Sequence, residues 1–87
     1  MSEVQAAPTI SVRLTLFADL KRFQPKGQQG PLTFALGPGA TVASLLAVAG
    51  IPATEEITIG LNGAQGQRES QLKDGDEVVL FSPMEGG

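Results

Sequence analysis

The chain has no cysteine, no histidine, no tryptophan and no tyrosine among its 87 residues. Without cysteine it can build no disulfide framework and offer no thiol nucleophile. Lacking both Cys and His, it has no zinc-finger ligand set, no haem attachment motif and no imidazole base. Its aromatic side chains are four Phe, a thin basis for a platform on which bases could stack. Positive charge is also scarce: Lys+Arg is 6 against Asp+Glu 9, a net charge of −3 with a pI near 4.6. No basic stripe exists to neutralise phosphates, so nucleic acid is not an expected partner. The apolar runs fall far short of the roughly 18 residues that would cross a bilayer, so no membrane association is expected. Met1-Ser2-Glu3-Val4-Gln5 shows neither the basic region nor the apolar core of a secretory signal, which makes the cytoplasm the expected location.

What is present is the composition of one small globular domain. Hydrophobic residues are 41% of the chain and charged residues 17%, unlike the low-hydrophobicity, high-charge pattern of disorder. A chain this short buries only about 60% of the surface its unfolded form exposes, so modest stability is expected.

Residues 1–9 have no periodicity and read as a flexible N-terminal tail. Ile10, Val12, Leu14 and Leu16 then alternate with Ser11, Arg13, Thr15 and Phe17, the period of a strand with one buried face. Ala18 to Gly30 reads as a loop, pinned to the core by Leu20 and Phe23. Leu32, Phe34 and Leu36 mark a second strand, stopped by Gly37-Pro38-Gly39. Thr41 suits a helix N-cap, and Val42, Leu45, Leu46 and Ala49 fall on one helical face. Gly50 fits the left-handed position after a helix, and Pro52 prevents continuation. This helix of about two turns must pack on a sheet to persist. Ile57, Ile59 and Leu61 predict a third strand ending at Asn62-Gly63. Residues 64–71 are polar and loop-like, with room for one short strand. Leu72 is an isolated apolar anchor, and Asp74-Gly75-Asp76 a tight turn. Val78 to Phe81 is apolar on both faces, as a central strand would be. The order strand, strand, helix, strand, short strand, strand predicts an α+β sandwich, a mixed four- or five-stranded sheet with one main helix packed on one face.

Few residues can carry chemistry. Asp74-Gly75-Asp76-Glu77 lacks the spaced ligands of a calcium loop, Glu55-Glu56 reads as solvated loop, and no metal site is expected. Gly60, Gly63 and Gly66 precede no helix that could receive a phosphate. No base, nucleophile or ligand set converges, so an enzyme is not expected. The sharpest feature is the Gly86-Gly87 terminus. Two residues without side chains make a thin arm whose reactive group is the free carboxylate of Gly87. It follows a strand through Ser82 and Pro83, and proline keeps the chain extended.

From Leu72 onward the sequence resembles the end of the ubiquitin-like sulfur carriers of the MoaD/ThiS family: a Leu, the Asp74-Gly75-Asp76 turn, the apolar strand Val78-Val79-Leu80-Phe81, a Pro83-containing linker and Gly86-Gly87. The opening strand Val12 to Phe17, the Gly39-Ala40-Thr41-Val42 approach to the helix and the Leu61-Asn62-Gly63 strand end agree in order, so the resemblance spans about residues 10–87. It implies a β-grasp domain over 10–81 and an extended tail over 82–87. It further implies a carrier that binds no cofactor itself. A ubiquitin-activating-type adenylating enzyme would use ATP to activate the Gly87 carboxylate, and a sulfur donor would convert it to a thiocarboxylate. Pro83, Met84, Glu85 and Gly86 would enter the partner's active site, and a synthase subunit would accept the sulfur. Molybdenum or tungsten cofactor synthesis is the first expectation. The alternatives are thiamine thiazole or another thio-metabolite, protein modification through Gly87, and a plain interaction module whose Gly-Gly is incidental. The tail departs from the molybdopterin type, with Ser82 in place of a first proline and Met84 and Glu85 at two usually small positions. If Leu80 packs under the helix, period two sends Val79 and Phe81 to the opposite face. A first strand parallel to the last then brings Phe17 beside Phe81, and these three residues are the expected partner-binding patch.

Overall fold

The computed structural model describes residues 9–28 and 30–82. Of the expected tails at 1–9 and 82–87, residues 1–8 and 83–87 lie outside the described residues. Five strands form one sheet: β1 (Ile10–Leu16), β2 (Leu32–Leu36), β3 (Thr58–Leu61), β4 (Ala64–Gln65) and β5 (Glu77–Phe81), in the order β2-β1-β5-β3-β4. The β1–β5 pair is parallel, while β1–β2, β3–β5 and β3–β4 are antiparallel. Among the described residues a single α-helix, α1 (Val42–Ala49), lies across one face. This is the β-grasp arrangement of ubiquitin-like proteins.

Alternation in the strands places the core where the sequence predicts. Val12, Leu14 and Leu16 of β1 and Val78 and Leu80 of β5 are buried together with Val42, Leu45 and Leu46 of α1. Leu32, Leu36, Ile51, Ile59 and Leu72 join the same cluster, and Ile10, Phe34, Ala49, Ile57 and Leu61 pack against its margin. The buried residues are all apolar, and no buried side-chain nitrogen or oxygen lacks a partner among the described residues.

Both helix ends are built as their residues dictate. Thr41 accepts a bond from the Ser44 N–H, and Ser44 Oγ accepts one from the Thr41 N–H, a reciprocal capping box. Two further N–H groups of the first turn donate into the neighbouring loop, Val42 to the Ser70 carbonyl and Ala43 to that of Arg68. Gly50 closes the helix at φ 83°, a left-handed conformation costly for other L-residues. A second glycine sits in a tight place. A Cβ on Gly66 would lie 3.1 Å from Leu61 Cβ and 3.2 Å from Ile59 Cγ2.

Three expectations need correction. Ala18–Phe23, read as loop, forms a 3-10 helix. Leu20 and Phe23 are three residues apart, and a three-residue turn aligns them on one side, so Leu20 is fully buried and Phe23 packs on the core. A search for a 3.6-residue period does not detect so short a repeat. Glu55, read as solvated, instead accepts a bond at 2.7 Å from Arg22, whose guanidinium also reaches Asp19 at 2.8 Å. Arg68 donates to the Glu55 carbonyl, tying the same loop to residues after β4. The third strand begins at Thr58, leaving Ile57 just before it.

Because Leu46 is 2% exposed and sits between α1 and the sheet, Leu46→Ala is expected to destabilise the fold by about 2–5 kcal/mol. Urea unfolding measures this, and a loss under about half a kcal/mol would show that the site collapses around the missing methyls.

Candidate functional site

The route to the chain's end passes through β5. Its neighbour β1 orients its odd-numbered residues toward it: the Arg13 N–H donates to the Asp76 carbonyl, the Phe17 N–H to that of Leu80, and Ser11 O accepts from the Gly75 N–H. The parallel register sets Thr15 against Val79 and Leu16 against Leu80. One step further, just past the end of β1, Phe17 meets Phe81. Both side chains leave the sheet on the face away from α1. Their rings stack with centroids 5.5 Å apart and planes 14° from parallel. Phe17 remains 42% exposed and Phe81 40%, so this pair is an aromatic platform in solvent rather than part of the core. Val79 is half-buried beside them, opposite Gly60 of β3. The three residues predicted to form one patch are thus brought together. Pro83, Met84, Glu85, Gly86 and Gly87 lie outside the described residues, and Ser82 is the last residue before them.

Gly60 lets the platform extend. A Cβ there would reach ordinary contact distance of Val79 and Phe81, 3.7 and 3.8 Å, so a glycine keeps the groove beside Phe81 open. A shallow hollow of about 380 Å³ lies here between β3, β4 and Phe81. On the other side of the stack a second hollow of about 500 Å³ is walled by Phe17, Lys21, Gln24 and Pro25. The Gln24 side chain holds this wall by donating to the carbonyls of Gln28 and Gly30. Lys21 makes no ion pair among the described residues. Arg22 turns away instead: its hydrogen bond to Glu55, with the charges of Glu55 and Asp19, raises its pKa above the ordinary value.

The far end of the sheet is fixed by residues that sequence reasoning left as turns. Asn62, at φ 53°, accepts a bond from the Glu77 N–H and donates to Asp76 Oδ1. Asp74 accepts from the Ser11 N–H at 2.7 Å, and Asp76 from the Lys73 N–H at 2.8 Å. These carboxylates are occupied with backbone donors and lock β1, β3 and β5 in register. Among the described residues no group of three or more acidic side chains gathers as a metal site would. The Asn-Gly and Asp-Gly-Asp signatures signalled a turn in the sequence; the cross-strand partner of Asn62 had no sequence signal.

Comparison with known proteins bears on the whole domain and its end. The model of the ThiS family matches residues 14–87. The chain belongs to the ThiS family. No curated protein matches its sequence. Among solved structures, SAMP1 from Haloferax volcanii is similar at 26% identity, with a TM-score of 0.69 over 88% of this chain and 99% of that one. A putative molybdopterin converting factor subunit 1 from Pyrococcus furiosus is 21% identical, with a TM-score of 0.68 over 86% of this chain and 99% of that one. In a complex of subunits 1 and 2 of molybdopterin-converting factor from Helicobacter pylori, one chain is 20% identical, with a TM-score of 0.58 over 90% of this chain and 100% of that one. This ThiS-family chain is therefore a small ubiquitin-like protein, and at these identities the last two likenesses speak to its fold.

The stacked pair yields a prediction about stability. A double-mutant cycle of Phe17→Ala and Phe81→Ala should return a coupling of about 0.5–1.5 kcal/mol beyond lost area. Additive losses in the cycle would mean that the rings merely neighbour one another.

Proposed function

We propose that this ThiS-family chain is a sulfur carrier whose Gly87 carboxylate is adenylated and then converted to a thiocarboxylate, most directly for molybdopterin synthesis. The observation that carries the reading is the extent of the family match. It runs through β5 and on to Gly87, taking in both the strand that delivers the tail and the Gly-Gly end itself. The chemistry suits the parts. A carboxylate is a poor electrophile, so one Gly87 oxygen attacks the α-phosphorus of ATP on a partner adenylating enzyme and pyrophosphate leaves. Sulfide released by a donor then attacks the acyl carbon as HS−, the C–S bond forms, and AMP departs with the C–O bond electrons. The thioacid that remains is a soft nucleophile on a domain that needs no cysteine of its own. In this reading the carrier binds no cofactor, works in the cytoplasm and hands its sulfur to a synthase subunit.

The Phe17–Phe81 platform with Val79 supports the reading, because it stands at the root of the tail where a partner taking in residues 83–87 must come close. An exposed aromatic pair of this kind suits an interface anchor. A second reading, conjugation of Gly87 to a lysine amine, is favoured by the 26% identity to SAMP1, which a second solved structure names small archaeal modifier protein 1.

Two tests follow. Deleting Gly87 moves the carboxylate back by one residue, about 3.5 Å, more than an attacking atom can tolerate, so ATP–pyrophosphate exchange with the cognate activating enzyme should vanish while the melting temperature stays that of the parent. Gly86→Val should have the same effect by widening and stiffening the arm. Full exchange by the shortened chain would sink the carrier reading. Intact mass separates the two fates of Gly87: a thiocarboxylate is heavier by the difference between sulfur and oxygen, and a conjugate by a whole protein. Separately, Phe81→Asp should weaken binding of the activating enzyme at least tenfold, about 1.4 kcal/mol, with the fold intact. Unchanged affinity by calorimetry would remove the platform from the interface.

A further inference from the structure

At the opposite edge of the sheet, β2 is a strand with one neighbour. The direction of its free groups follows from the bonding of β1. Odd-numbered residues of β1 bond to β5, so its even-numbered residues face β2, and Ile10, Val12 and Leu14 pair with Leu36, Phe34 and Leu32. Backbone direction alternates along β2, so the N–H and C=O groups of Thr33 and Ala35 point outward. Among the described residues, no hydrogen bond from elsewhere in the chain reaches either residue. Both side chains are exposed and neither is charged. Natural sheets shield such an edge with charge, a bulge, a proline on the edge or a very short strand. The other edge, β4, is two residues long. None of these devices interrupts the five residues of β2. Instead, residues 27–54, which include β2 and α1, hold no Asp, Glu, Lys or Arg, although the whole chain carries a net charge of −3.

We propose that β2 pairs antiparallel with β2 of a second copy of this chain, joining two sheets into one of ten strands. A two-fold axis beside Phe34 sets Thr33 of each copy against Ala35 of the other. That register uses all four outward donors and acceptors of each edge. Phe34 and its counterpart fall at the non-hydrogen-bonded position, where Cα atoms come within about 4.5 Å and side chains are closest. Phe34 is half-buried in the single chain, so this contact covers apolar surface. The flanks also complement themselves. Gly37 would lie opposite Pro31 of the other copy. Pro31 has no N–H to leave unpaired, and the Gly37 carbonyl already accepts from the Ala40 N–H. The self-matching register and the lack of like charges at the seam favour a second copy over an unrelated extended peptide. The edge lies two strands from Phe81, so pairing does not use β5, and the inference is independent of the function proposed for Gly87.

A contact this small makes a weak dimer, populated at concentrations on the order of 1 mM. Sedimentation equilibrium of the full chain should show the mass doubling toward that concentration. Hydrogen exchange read by NMR should show the Thr33 and Ala35 amides at least tenfold more protected in concentrated than in dilute samples. Ala35→Pro removes an outward N–H only, as edge strands tolerate, and should abolish both effects while the β1 amides stay protected. Thr33→Lys gives a second variant that blocks the edge by charge should the proline unfold it. A monomer at all concentrations, a dimer that survives both substitutions, or protection of Thr33 and Ala35 that is the same at every concentration would each overturn the proposal. So would protection that arises only when an unrelated extended peptide is added.

Discussion

Two strands from opposite ends of the chain, β1 and β5, lie side by side and parallel at the centre of the sheet, and the rest of the molecule is arranged around that pairing. A parallel pair cannot be joined by a tight turn, so the intervening chain must cross the sheet, and α1 is the element that covers the crossing. The pair supplies Val12, Leu14, Leu16, Val78 and Leu80 to the floor on which the helix sits. It also sends the other side chains of both strands to the opposite face. Core and exposed platform are thus two consequences of one register.

That register is held at both ends. At one, Asp74, Asp76 and Asn62 each accept from a backbone donor, and Asn62 donates to Asp76, tying β1, β3 and β5. At the other, the Phe17 N–H donates to the Leu80 carbonyl and the two Phe rings stack. Carboxylates bonded to backbone donors suit solvent-facing turns, because the charge keeps much of its hydration while the acceptor oxygen orders the loop. A stiff platform at the head of the terminal segment fixes where that segment begins.

The two edges of the sheet are treated differently. Beyond β3, the chain makes only the two residues of β4 before turning under the helix, where Ser70 and Arg68 receive its first N–H groups. Beyond β1, the five residues of β2 end the sheet with open backbone and no charge nearby in sequence. In a chain whose net charge should keep copies apart, an uncharged third of the sequence concentrates the surface that can approach another molecule.

Much of this was legible in the residues. The period-two runs marked β1, β2 and β3, the run apolar on both faces marked β5, and Thr41, the Val42-Leu45-Leu46-Ala49 spacing and Gly50 marked α1 from cap to cap. The order of those elements pointed to a mixed sheet with one helix on it, and the Leu72 to Gly87 run pointed to the family, whose resemblance implied the β-grasp fold. These are local signals, since a hydroxyl, a left-handed glycine or an alternation acts within a few residues of itself. Other features arose only when distant segments met. The 3-10 helix forms because Leu20 and Phe23 find the core, and Glu55 gains an ion pair because Arg22, 33 residues earlier in the chain, is brought against it. Asn62 becomes a lock because Glu77 is delivered opposite it. That Phe17 and Phe81 face each other was inferable only by assuming a strand order. The stacking itself, and the bare edge at β2, were decided by which strands became neighbours, because neighbour choice depends on the free energy of the whole packed sheet, and no short stretch of sequence carries it.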